Sequence, residues 1–195
     1  MKYLLAVVMV LCAVTSWAGS GDYVAPTANY DQGDWIQTDS IYASDDRRST
    51  NAGTNQHKVG GKTFGIAVTD GATIDSIIVK IEGSCNGTLL QRQCDIQLSK
   101  DGGATGAGEA VLLQFGTSEA VSTVRGITNG LWNTTWTEAE IESANFCVTV
   151  KKNSSSATPI PKVDQITVAV WWTASSGFSG NRREKIISMG LTKPK

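Results

Sequence analysis

The chain is poor in the residues that do chemistry. It has one histidine, His57, in 195 residues, and that histidine sits in the polar segment NAGTNQHKVGG. No cysteine–histidine spacing suited to a metal exists. A single histidine in a glycine-rich loop reads as a surface residue, because a catalytic triad is recognised by geometry and not by presence. The segment DGGATGAGE has its glycines in the wrong order for a dinucleotide fingerprint and lacks the lysine of a phosphate loop. It reads as a flexible hairpin tip. No motif identifies a reaction, and a protein that is not an enzyme is expected. Long helical periodicity is missing too, which argues against an α/β enzyme fold. There is no internal repeat, heptad pattern or long low-complexity linker. No basic stripe runs through the body of the chain, so no nucleic-acid partner is expected.

Long apolar runs are also scarce, and the first one has a specific meaning. MKYLLAVVMVLCAVTSWA carries one positive charge, Lys2, then an apolar run from Tyr3 to Val14, and ends in Ser16-Trp17-Ala18. This is the pattern of a secretory signal, residues 1–18, and the run is shorter than the roughly twenty apolar residues a membrane span needs. A lipid anchor on Cys12 is the competing reading, weakened by the bulky Leu11 before it. No later stretch is long enough to cross a bilayer. The expected mature chain begins near Gly19 and is extracytoplasmic: secreted, periplasmic or surface-associated. Without Lys2 it holds 16 basic and 18 acidic residues (17 minus 1, and 18), a net charge of −2.

What the mature chain does have is the composition of a β domain. Its 20 glycines accompany apolar residues that are mostly Ile, Val and aromatics, and these suit strands. Short alternating runs recur between turn residues. Lys62 to Val68, Thr73 to Glu82, Cys94 to Ser99, Ala110 to Phe115, Ala120 to Arg125, Phe146 to Lys151 and Gln165 to Thr173 read as strands. The inward rows are Ile77, Val79 and Ile81; Ile96 and Leu98; and Ile166, Val168, Val170 and Trp172. The expectation is an all-β, antiparallel, jelly-roll-like β-sandwich spanning 34–173. An N-terminal extension, 19–33, precedes it, and a basic tail or edge strand, 174–195, follows.

One short helix interrupts the strands. Thr137-Glu138-Ala139-Glu140 is a capping box, with acidic residues at the positive end of the helix dipole. A helix over 138–143 is expected to cross one end of the sandwich, with Trp136 and Ile141 plugging the core. Glu138, Glu140 and Glu142 then form a solvated face.

The pattern as a whole resembles a known module. Its marks are Trp35, Tyr42-Ala43, Phe64-Gly65, Ile74, Ile77 and Val79, Asp95 and Leu98, Leu131-Trp132, Trp136-Thr137, Phe146 and Val148, and the Asp-x-Ile-x-Val-x-Val run from Asp164. Together these look like a β-sandwich that recurs in phage virion proteins and in exported bacterial surface proteins, over roughly residues 34–173. The resemblance implies architecture and, because its marks are core and turn residues, no ligand set. The export signal favours the surface or secreted version.

Site expectations come from a few residues. Cys85 and Cys94 flank eight residues between two strands expected to pair, so a disulfide is expected to clamp that loop. Cys147 is left over. It pairs with another chain or with one of the other two, or it sits reduced under a loop. Asp31, Asp34, Asp39, Asp45 and Asp46 cluster ahead of the first confident strand. No cofactor is expected, with Ca²⁺ held by these carboxylates and loop carbonyls as the one alternative. In strand 165–173 the period of two sends Trp171 to the face of Thr167, Ala169 and Thr173. An outward Trp beside threonine hydroxyls suits a sugar ring or a partner protein. The alternative places Trp171 under a loop.

Two functions follow. The first is an exported structural or interaction protein, associated with a surface or a virion, that assembles with itself or with another such component. The second is a carbohydrate-binding module that uses Trp171 and Trp132 with Thr167 and Thr173.

Overall fold

The computed structural model describes residues 18–88 and 91–175. The signal segment through Trp17, Cys12 within it, and the basic tail beyond Ser175 lie outside the described residues. Among those described, no helix is long and apolar enough to cross a membrane.

Among the described residues, eleven strands form two antiparallel sheets. They are β1 (Ala18–Ser20), β2 (Ala28–Asp31), β3 (Trp35–Ile36), β4 (Ser49–Asn51), β5 (Lys58–Lys62), β6 (Thr73–Cys85), β7 (Gln93–Ser99), β8 (Ala107–Gln114), β9 (Ala120–Arg125), β10 (Cys147–Lys152) and β11 (Pro161–Thr173). One sheet runs β3-β4-β11-β6-β9, with β1 also on β11; the other runs β2-β5-β10-β7-β8. Counting from β4 to β11, the first strand lies beside the last and the second beside the next to last, which is the jelly-roll order. The all-β sandwich expected from alternation is the fold.

The core lies where the period of two put it. Ile77, Val79 and Ile81 of β6 face Ile166, Val168 and Val170 of β11 in register, and the opposite sheet supplies Ile96, Leu98, Val148 and Val150. Each such side chain is worth about 1.5–3 kcal/mol when fully buried.

Several boundaries differ for physical reasons. KTFGIAV is not a strand: β5 ends at Lys62, and Thr63 and Gly65 both take positive φ. The segment still alternates, burying Phe64, Ile66 and Val68, but its polar groups are satisfied elsewhere. The N-terminal segment is woven into the sandwich. β1 pairs with β11, β2 pairs with β5, and Val24 bridges Val168. The turn after β7 is pinned rather than loose. The Asp101 carboxylate accepts from the Ser99 and Thr105 hydroxyls and the Thr105 N–H, which holds its pKa down at about 2.

The helix α1 (Glu138–Glu142) carries the expected capping box. Thr137 Oγ1 accepts from Glu140 N–H, and Glu140 accepts from Thr137 N–H. Trp136 and Ile141 are buried as plugs, and Trp136 meets Phe146 edge-on at 5.4 Å. The three glutamates are not simply solvated. Glu142 accepts from Val68 N–H, Glu138 from Gly71 N–H, and Glu140 from Lys100 Nζ. Glu142 and Glu138 tie the irregular segment after β5 to the helix and so supply partners its backbone lacks, while Glu140 ties the turn after β7 to it.

Candidate functional site

The outer face of the six-stranded sheet gathers the polar and aromatic residues that the core leaves over. Trp171 points outward from β11 beside Ser76 of β6, as the alternation requires. It is half-buried, under the N-terminal segment rather than the helix crossover. Tyr23 meets it edge-on at 6.3 Å, and Lys80 Nζ stands 3.6 Å from the centre of the Tyr23 ring. A shallow groove of about 420 Å³ runs on from there, lined by Tyr23, Lys80, Glu82, Val121, Gln165 and Thr167.

The other expected site residues divide. Thr167 is buried in the floor of this groove. Thr173 Oγ1 donates to Asp75 Oδ2 at 2.7 Å and is occupied by that bond. Trp132 does not join the face at all. It is fully buried, with its indole N–H donating to Ile77 C=O at 3.0 Å. A ring with no exposed surface cannot stack on a ligand, so Trp132 is a core residue. Tyr23 and Lys80 were missed by sequence reasoning. Tyr23 stands in GDYV, outside any alternating run, and only its chain crossing makes it a neighbour of Trp171.

Below the groove the same face turns acidic. A carboxylate oxygen from each of Glu82, Glu119 and Asp164 lies within 4.8 Å of the others. Three adjacent strands supply them: β6, the approach to β9, and β11. Asp164 is the residue skipped where the β11–β6 register shifts between Val163 and Gln165. Such a bulge re-aims a side chain. Asp164 is 1% exposed, its Oδ1 has no hydrogen-bond partner, and its Oδ2 has only a long contact, 3.4 Å, from Asp46 N–H. Burial, with Glu119, Glu82 and Asp45 nearby, lifts its pKa to about 6. Arg48 crosses the sheet to pair with Glu119 and Asp46.

The aspartates expected to gather round Ca²⁺ do not converge. Asp31 accepts from Gly33 N–H, Asp34 meets His57 and Asn55, Asp39 meets Arg47, and Asp45 accepts from Arg47 N–H. Asp46 pairs with Arg48, so each of the five is taken up by a separate partner group. His57 is a half-exposed partner of Asp34, with its carbonyl accepting from Trp35 Nε1.

No family model, curated protein or solved structure matches this chain. Its sites therefore rest on geometry alone.

The cysteines correct two expectations. Cys85, Cys94 and Cys147 are all free and buried. β6 and β7 do not pair: Cys85 ends a strand of one sheet and Cys94 opens a strand of the other. The expected loop clamp is absent, and the two thiols lie instead between the sheets. Burial pushes the Cys85 thiol up to about 11, and the Cys94 thiol higher still, with the nearby Cys85 adding to the effect. Cys147 is fully buried on β10, packed at Gly60, where an added Cβ would come 3.2 Å from its Sγ. Its thiol is pushed up to about 12 by burial. A sealed thiol held neutral is a poor nucleophile, and of the three readings for Cys147 the fold matches the buried, reduced one.

Proposed function

We propose that the chain is an exported, non-enzymatic jelly-roll protein that assembles with copies of itself, or with another surface or virion component, by adding strands at an open edge. One observation carries this reading. β8 and β9 end their sheets and each pairs on one side only. Three of the four exposed large aliphatic side chains among the described residues lie there: Leu112 is 50% exposed, Val121 57%, and Ile127, just past β9, 76%, while the fourth, Ile36, is on the opposite edge strand β3. Edges are normally blunted by lysine, proline or a bulge. β9, AVSTVR, has no lysine or proline and pairs with β6 without a register shift. Six residues of regular edge suit the strand-addition mode of recognition.

Light scattering after size exclusion tests this on residues 19–195. Oligomers are expected, unchanged by reductant because Cys147 is buried. Val121→Lys should weaken association about tenfold, equivalent to about 1.4 kcal/mol, with no loss of melting temperature. A clean monomer for the unaltered chain sinks the assembly reading.

The Tyr23–Trp171 pair favours a second reading, a carbohydrate-binding module. Perpendicular rings beside a groove lined by Lys80, Gln165 and Thr167 offer an apolar surface and hydrogen-bonding groups together, the combination a sugar ring needs. On this reading Trp171→Ala and Tyr23→Ala each abolish retardation on a polysaccharide gel. Tyr23 is 37% exposed, so its removal should leave the melting temperature nearly unchanged. Unaltered retardation in both variants rules the module out.

A further inference from the structure

We propose that Glu82, Glu119 and Asp164 form a divalent-cation site, and that Ca²⁺ is the ion it takes. The donors are all carboxylate oxygens, the set that hard cations prefer, with no imidazole or thiolate of the kind zinc and copper favour. Their spread also fits. Two oxygens on opposite sides of one Ca²⁺ stand about 5 Å apart, given Ca–O distances of about 2.3–2.6 Å. The three oxygens here lie within 4.8 Å of one another. Mg²⁺, with ligands at about 2.0–2.1 Å in a strict octahedron, calls for a tighter cage.

Proximity of acids alone would not make a site. The second observation is the buried, unpartnered Oδ1 of Asp164. Buried polar atoms are satisfied as a rule, and a bare carboxylate oxygen is among the most costly exceptions. The register shift at Val163/Gln165 turns this side chain towards Glu82 and Glu119, where Oδ2 has only the long contact from Asp46 N–H and no donor meets Oδ1. A cation among the three carboxylates supplies what Oδ1 lacks. Charge agrees with this. Three carboxylates and the Arg48 guanidinium, which is paired to Glu119, leave a net −2 at the cluster. Asp45 and Asp46 border it and add to the attraction, while the Asp46 carboxylate is itself engaged by Arg48. The competing account is a proton: Asp164 stays neutral and shares a hydrogen with a neighbouring carboxylate.

The test is calorimetric titration of the chelator-stripped protein at pH 7.5 with CaCl₂ alone, alongside thermal melting in Ca²⁺ and in EDTA. One saturable event is expected. The melting temperature should rise by roughly 5 °C at Ca²⁺ about a hundredfold above its dissociation constant. Glu82→Gln and Glu119→Gln should each weaken Ca²⁺ binding about tenfold or more while the melting temperature in EDTA is kept. Both glutamates are less buried than Asp164 and glutamine keeps their shape and an acceptor oxygen, so these variants remain informative even if Asp164→Asn fails to fold. The proposal fails if millimolar Ca²⁺ gives neither heat nor a melting shift, the result the shared proton predicts. It fails equally if both glutamine variants bind Ca²⁺ as the unaltered protein does. Tighter binding of MgCl₂ than of CaCl₂ would overturn the choice of ion.

Discussion

Trp132→Ala is expected to lower stability by about 3–5 kcal/mol, the range for removing a large buried aromatic ring. For a chain of this size that is a fall in melting temperature of about 10 °C. Three separate contacts meet at this residue. Its indole fills the core, and its N–H satisfies Ile77 C=O. Its own carbonyl accepts from Glu109 N–H at 2.8 Å. The chain is bent to bring it there: Trp132 has φ 61, and Gly108 passes so close that an added Cβ would stand 1.9 Å from the Trp132 oxygen. Trp132→Phe separates the terms. It keeps most of the ring volume but leaves Ile77 C=O unpartnered, and should cost about 1–3 kcal/mol. Urea denaturation with an unchanged m-value measures both. A loss under 1 kcal/mol for the alanine variant would return Trp132 to the surface and reopen its role in binding.

Lys152→Met is the second substitution with a large expected effect. Lys152 is a fully buried lysine on β10, in register with Cys94. Its ammonium donates to Gly53 C=O at 2.7 Å and Ser156 C=O at 2.8 Å, tying two loops across one end of the sandwich. Two effects oppose each other on its removal. Taking away a buried charge recovers its desolvation cost, which comes from the same burial that lowers the Lys152 pKa. Against that, two carbonyls lose their shared donor, at about 1–3 kcal/mol each. The carbonyls outweigh the charge, because both sit on irregular loops with no alternative donor from the ladder. Methionine keeps the methylenes and should cost about 2 kcal/mol; alanine adds a cavity and should cost more. Gain of stability by Lys152→Met, in the same urea experiment, would show that water replaces the ammonium at the two carbonyls.

The two register shifts show how a feature can be present in a sequence and still pass unread. In β11 the inward residues run Val163, Ile166, Val168, Val170, and in β6 they run Ile74, Ile77, Val79, Ile81. Each row contains one step of three among steps of two, and each step of three is a register shift in the sheet. Asp164 stands in one such step and Asp75 in the other. The irregularity marks a bulge from sequence alone, whereas the destination of the bulged side chain does not follow from it. The disulfide failed for a related reason. Closeness in sequence put Cys85 beside Cys94, but closeness says nothing about which sheet each strand joins.

By itself the sequence determined the fold class, the inward rows of β6, β7 and β11, and the capped helix α1. These depend on neighbours two to four residues apart, where side-chain direction follows directly from backbone geometry. The tertiary structure alone decided that Tyr23 lies against Trp171, that Trp132 is core, that the three thiols are sealed, and that Glu82, Glu119 and Asp164 meet. Those relations join segments up to about 150 residues apart, as Tyr23 and Trp171 are. They depend on strand order and on which segment covers which face, and no local periodicity encodes either.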